Sequence, residues 1–286
     1  MTEKELEIYR FYLKAFKHPE NILRTKTQKI NFDFLNSNYD AFFFDAFGTL
    51  FNRKGYVYPG ALEWIQKLKA EKKEIRIITN AATKNAKHMA EDFLQMGFPV
   101  SENEIFTSGR FLKQLKEKYK IKDAFYLGRA SGTEVLQDNQ IEITENPQSK
   151  TVIICSTEQS KEKLLQAENI LKESGAKLFV LNPDAYAPET DGSKTEVSGS
   201  QAFDLYKRTH CLLELAGKPF SESFEDAKKS VKKNAKTVMI GDTLGTDVLG
   251  GTFAQLDTCL ILGRNVKESE FEKDVLGLGI APTWIL

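Results

Sequence analysis

Short apolar runs alternate with stretches of helical periodicity along much of this chain. Ala41–Phe44 is continuously apolar, the pattern of a strand buried on both faces in the middle of a parallel sheet. Residues 74–78, 236–240 and 257–262 read as further strands. Residues 59–69 read as a helix, with Pro59 near its start and an apolar stripe of Leu62, Trp64, Ile65 and Leu68. Residues 83–96 read as a second helix, stopped at Gly97. Strand, helix, strand, helix in that order predicts right-handed crossovers and a parallel sheet, closed by residues 283–286.

From about residue 105 the pattern changes. Residues 124–127, 140–144, 151–156 and 177–181 are strand-like, and a helix is predicted over 158–174. This reads as a separate α/β unit set into the first. A Gly/Ser loop over 191–200 leads into a helix over 201–208, a strand over 210–215 and a helix over 221–233. Residues 1–38 read as a polar lead-in with an amphipathic helix over 6–16 and a solvated basic cluster over 24–29. The chain therefore divides into an N-terminal helical extension (1–38), a core (39–104), an inserted unit (105–186) and the rest of the core (187–286).

Composition narrows the function classes. With 286 residues, 41% of them hydrophobic and 28% charged, the chain is of ordinary globular type. Lys plus Arg equals Asp plus Glu at 40 each, so no overall field attracts nucleic acid or an anionic membrane, and neither is expected as a partner. No apolar run is long enough for a spanning helix, and no signal-peptide pattern opens the sequence. Cys155, Cys211 and Cys259 are an odd set without CxxC spacing, which favours free thiols in the cytoplasm. His18, His88 and His210 share no metal-binding spacing.

The candidate chemistry sits at strand ends, where open α/β sheets bind ligands. Asp45, Thr79-Asn80, Lys218, and Asp242 with Asp247 each follow a predicted strand. Each alone reads equally as a cap or a turn. Together they suit a phosphoryl group. Asp45 can act as a carboxylate nucleophile. Thr79 and neighbouring backbone N–H groups can hold phosphoryl oxygens, and Lys218 can neutralise charge. Asp45 and Asp242 are hard oxygen ligands suited to Mg²⁺.

These motifs, Asp45-Ala-Phe-Gly-Thr-Leu, Ile78-Thr-Asn80, Gly217-Lys-Pro219 and Gly241-Asp-Thr-Leu-Gly-Thr-Asp247, resemble the haloacid dehalogenase-like (HAD) superfamily in its NagD-like class IIA branch. Phe106-Thr-Ser-Gly109 and Leu181-Asn-Pro-Asp184 resemble the segments flanking that branch's cap. The resemblance runs from about residue 39 to the C-terminus. It implies a Rossmann-like core with an inserted C2-type α/β cap, Mg²⁺ dependence and a phosphorylated small-molecule substrate. It further implies Asp45 as nucleophile, Thr79 and Asn80 at the phosphate, and Lys218 as the third-motif lysine. Asp242, the Phe47 backbone carbonyl and, directly or one shell out, Asp247 would serve the metal. A homodimer is implied by analogy alone. The phosphatases of the superfamily place a second aspartate two residues after the nucleophile, as the general acid/base. Here that residue is Phe47. The sequence therefore keeps three readings open: a phosphatase working through an aspartyl-phosphate, a weakened hydrolase scaffold that binds a phospho-ligand, and a carbon–halogen or carbon–phosphorus hydrolase. Gly128-Arg-Ala-Ser-Gly132 reads either as a plain turn or as a substrate contact from the cap.

Overall fold

Seven parallel strands form the main sheet of the computed structural model, which describes residues 1–15, 27–173, 175–189 and 193–286. Their spatial order is β1 (Gln28–Lys29), β14 (Trp284–Ile285), β13 (Asp257–Leu260), β12 (Thr237–Gly241), β2 (Ala41–Phe44), β3 (Glu74–Thr79) and β4 (Ile105–Thr107). From β2 the chain steps outward to β3 and β4. After a long excursion it re-enters at β12 and steps outward the other way. The switch point therefore lies between β2 and β12, and a crevice opens at their carboxyl ends.

All four residues of β2 are buried. Side chains alternate across a strand, so Phe42 and Phe44 join one core with Ile65, Leu68 and Phe93, while Phe43 joins the other with Phe224 and Met239. This two-sided burial is why the run carries no polar residue until Asp45.

The excursion builds a second parallel sheet in the order β11 (Leu212–Leu215), β8 (Lys177–Val180), β7 (Thr151–Ile154), β5 (Asp123–Leu127) and β6 (Glu142–Ile143). An antiparallel pair, β9 (Tyr186–Pro188) and β10 (Lys194–Glu196), forms a separate ribbon. Two strands fall on the other side of the expected boundaries at 105 and 186. β4 pairs with β3 in the main sheet, and β11 pairs with β8 in the second. A short apolar run carries its strand character locally. Its choice of sheet is set by distant neighbours.

The N-terminal stretch is also more than a helical lead-in. β1 is the edge strand of the main sheet, beside β14. Helix Glu3–Leu13 begins with a capping box between Thr2 and Glu5. It buries Ile8, Tyr9 and Tyr12, a stripe masked in the sequence by surrounding charges. The Tyr12 hydroxyl donates to the Pro183 carbonyl at 2.8 Å, and Lys4 pairs with Glu196 and Asp204, so this helix reaches the segment between β8 and β11. Of the expected basic cluster, residues 24–26 lie outside the described residues, as do His18 and positions 191–192 of the Gly/Ser loop; Lys29 pairs with Glu268. No helix among the described residues is long and apolar enough to cross a membrane.

Candidate active site

Asp45 is the first residue beyond β2, and its backbone N–H continues the ladder to the Ile240 carbonyl at 2.9 Å. Asp242 is the first residue beyond β12. Adjacent parallel strands thus deliver two carboxylates side by side. Gly48 then turns the chain with a φ of 89°, and a Cβ there would fall 2.1 Å from Asp242 Oδ2. Only glycine lets the loop pass so close to the second acid.

Lys218 stands between the acids. Its Nζ donates to Asp45 Oδ1 at 2.5 Å and to Asp247 Oδ1 at 2.7 Å, and all three side chains are buried. The other oxygen of Asp247 accepts the backbone N–H groups of Asp242 (3.1 Å) and Thr243 (3.0 Å). Asp247 thereby fixes both the turn after β12 and the lysine. Asn80 performs the matching task on the other side. It accepts the Lys218 N–H at 2.7 Å, and its amide donates to the Lys218 carbonyl (3.0 Å) and to Asp184 Oδ1 (2.8 Å). Thr79 Oγ1 accepts the Ala81 N–H at 3.2 Å, shaping the turn beyond β3.

The cluster is short of positive charge. One ligand atom from each of Asp45, Asp242 and Asp247 lies within 4.8 Å of the others, against a single lysine. Burial raises the Asp45 carboxyl, with Lys218 pulling down and Asp247 pushing up. Burial likewise raises Asp242 well above the ordinary carboxylate range, and Asp45 and Asp247 add to it. Asp242 Oδ1 accepts from the Thr243 hydroxyl at 3.0 Å, but Oδ2 is buried without a hydrogen-bond partner. A buried carboxylate oxygen without a donor, next to other acids, is what a hard divalent cation satisfies. The donor set therefore fits Mg²⁺.

These groups open onto one cavity of about 640 Å³. Every residue singled out in the sequence lines it: Asp45, Phe47, Thr79, Asn80, Lys218, Asp242 and Asp247. Phe47 is 36% exposed and its ring meets the Phe51 ring edge-on at 5.0 Å, so an aromatic pair borders the cavity two residues beyond Asp45. Asp184 also lines the cavity. Burial lifts its carboxyl to about 6, with Lys218 opposing.

Two family models match the chain: one described as haloacid dehalogenase-like hydrolase over residues 42–142, the other as HAD-hydrolase-like over 215–286. The chain belongs to the haloacid dehalogenase-like hydrolases. The segment between the two matches, 143–214, holds most of the second sheet. Among its relatives, mouse chronophin is 29% identical over 77% of this chain and 79% of its own. A Cytophaga hutchinsonii structure, described as a possible sugar phosphatase of the HAD superfamily, superposes with a TM-score of 0.81 at 27% identity, covering 91% of this chain and 97% of that one. NagD of Escherichia coli K-12 shares the fold, with a TM-score of 0.68 at 21% identity over 86% and 95% of the two chains.

Reading the sequence missed two residues of this hydrolase's cavity, Asn265 and Arg53, and left a third, Arg129, between two readings. Asn265 lies on the loop after β13 and donates to the Thr243 hydroxyl at 2.6 Å, buttressing Asp242. Applying the strand-end rule to β13 would have flagged it. Arg53 also lines the cavity, from the loop after Asp45, and so does Arg129, from the turn after β5. In the sequence Arg129 stands in the stretch Gly128–Gly132, which reads either as a plain turn or as a substrate contact.

Proposed function

We propose that this hydrolase is a Mg²⁺-dependent phosphatase of a phosphorylated small molecule, working through an aspartyl-phosphate on Asp45. The observation that carries the reading is the buried Asp45–Lys218–Asp247 chain beside the orphaned Asp242 oxygen, at the switch point of the main sheet. Likeness to the Cytophaga protein, itself described as a possible sugar phosphatase, supports the substrate class.

In this reading Asp45, Asp242 and the Phe47 carbonyl hold the ion, with Asp247 just behind. When bound, Mg²⁺ offsets the charge of the acids and of a phosphoryl group together. An Asp45 carboxylate oxygen attacks phosphorus, and the ester oxygen leaves with its electron pair. Lys218 orients that carboxylate and screens it from the incoming anion. Thr79 and the backbone beyond it receive phosphoryl oxygens. Phosphoryl transfer asks chiefly for positioning and charge stabilisation, which these groups provide.

Phe47 brings neither a proton for the leaving group nor a base for the water that releases phosphate. Both steps then depend on substrate or solvent protons, and turnover is slower by the general acid/base factor of about 10²–10⁴. The same residue favours a second reading, a phospho-ligand binder with little turnover. The test is a Mg²⁺-dependent assay on a panel of phosphate esters, with Asp45→Asn as control. Activity that vanishes in that variant supports the phosphatase. Tight binding of phosphate analogues with no turnover supports the binder.

A further inference from the structure

Most arginines of the chain are engaged. Arg10 donates to the Gly277 carbonyl and Arg76 to Ser230; Arg110 pairs with Asp226 and Arg208 with Glu168; Arg264 lies over the Tyr58 ring at 3.8 Å. Among the described residues, the guanidinium groups with no ion pair, hydrogen bond or aromatic ring to engage them are those of Arg53 and Arg129. Both line the cavity that holds Asp45. One comes from the main-sheet side and the other from the second sheet, so the two bodies meet here with like charges.

The heads are free, but the backbone that presents Arg129 is not. Its N–H donates to Ser156 Oγ at 2.9 Å, and its carbonyl accepts from the Tyr126 hydroxyl at 2.7 Å. The preceding Gly128 N–H donates to Glu158 at 3.0 Å. Arg53 is exposed to solvent, yet protein atoms crowd its head enough for desolvation, followed by repulsion from Arg129, to lower its pKa; Glu189 and Asp184 act on it in the opposite sense without pairing. Holding two cations at one cavity costs free energy unless an anion joins them. Guanidinium forks are shaped for carboxylate and phosphate oxygens.

We propose that Arg53 and Arg129 together bind a second anionic group of the substrate, a carboxylate or a second phosphate, on the part of the molecule remote from the phosphoryl group at Asp45. This rests on the phosphatase reading and names its substrate class: small phosphate esters with a second negative charge. Recognition by two charge-assisted contacts is expected to favour such esters by about tenfold to a few hundredfold over neutral ones.

The test uses size-matched phosphate esters whose far end is a carboxylate, a second phosphate, or a neutral amide or hydroxyl. Ratios of kcat/KM are measured for the wild-type protein, Arg53→Gln, Arg129→Gln and the double variant, each checked for an unshifted thermal transition. The expected result is a preference of at least about tenfold for a charged tail, residing in KM. It should shrink in each single variant and collapse in the double. The preferred tail tells carboxylate from phosphate. A wild-type protein indifferent to tail charge overturns the proposal, and so does a double variant that keeps the preference. If no ester is hydrolysed, the phosphatase reading fails on its own. Calorimetric binding of the same esters then decides: tighter, arginine-dependent binding of the charged-tail ester supports the proposal, and equal binding overturns it.

Discussion

The two walls of the cavity are made in opposite ways. On the main-sheet side, the acids are buried at strand ends, and Lys218, delivered by the turn after β11, is buried between Asp45 and Asp247. On the side of the second sheet, Arg129 is exposed, sits on a loop and has a head unpaired among the described residues. A buried charge cluster can be ruined by one substitution, since a lone ion cannot be tolerated there. An exposed arginine on a held loop can be exchanged at small cost to the fold. The first wall suits invariant chemistry, and the second suits a choice of substrate.

Four substitutions can break or sharpen this contrast. Asp45→Asn removes the nucleophile while nearly keeping its shape, and should lower phosphate-ester turnover by about 10⁴ or more, read in a steady-state assay with the fold checked by circular dichroism. Phe47→Asp restores a proton-transfer group beside the nucleophile. It should raise kcat by about 10²–10⁴; an unchanged rate would show that proton transfer does not limit turnover here. Lys218→Met strips Asp45 and Asp247 of their shared cation, and should cost about 3–5 kcal/mol in chemical denaturation without metal, several times the effect of either cavity arginine.

The smallest effect concerns pH. Burial raises Asp184 from 3.8 to about 6, so the folded state binds more protons than the unfolded state between those values. Its contribution to stability is therefore fully present below 3.8 and is lost as pH rises towards 6. Asp184→Asn still offers an oxygen to the Asn80 amide, and should flatten the fall in unfolding temperature across that window. A slope identical to that of the unaltered protein would show that Asp184 is not the group responsible.

The same contrast explains what could be read from the sequence. β2 and β12 were legible because burial on both faces leaves an uninterrupted apolar run, and the acid that ends each run falls at the sheet's switch point. Lys218 was legible through its Gly-Lys-Pro setting. Sheet membership was not: β4 and β11 carry the same local signal whichever sheet they join. Nor was the burial of Tyr9 and Tyr12, hidden in a charged helix. Arg53 looks like any surface arginine, and Arg129 sits in a stretch that reads equally as a turn, until the fold leaves both facing one cavity with no partner among the described residues.

The central claim, that Asp45 carries the phosphoryl group, is open to direct measurement. A reaction at steady state with Mg²⁺ and ester is quenched and treated with borohydride, which reduces an acyl-phosphate, and the peptides are mapped by mass spectrometry. Without an acid at position 47 the intermediate should break down slowly and accumulate, and residue 45 should appear as homoserine only when both ester and Mg²⁺ are present. Modification of a different side chain while turnover continues would contradict the account.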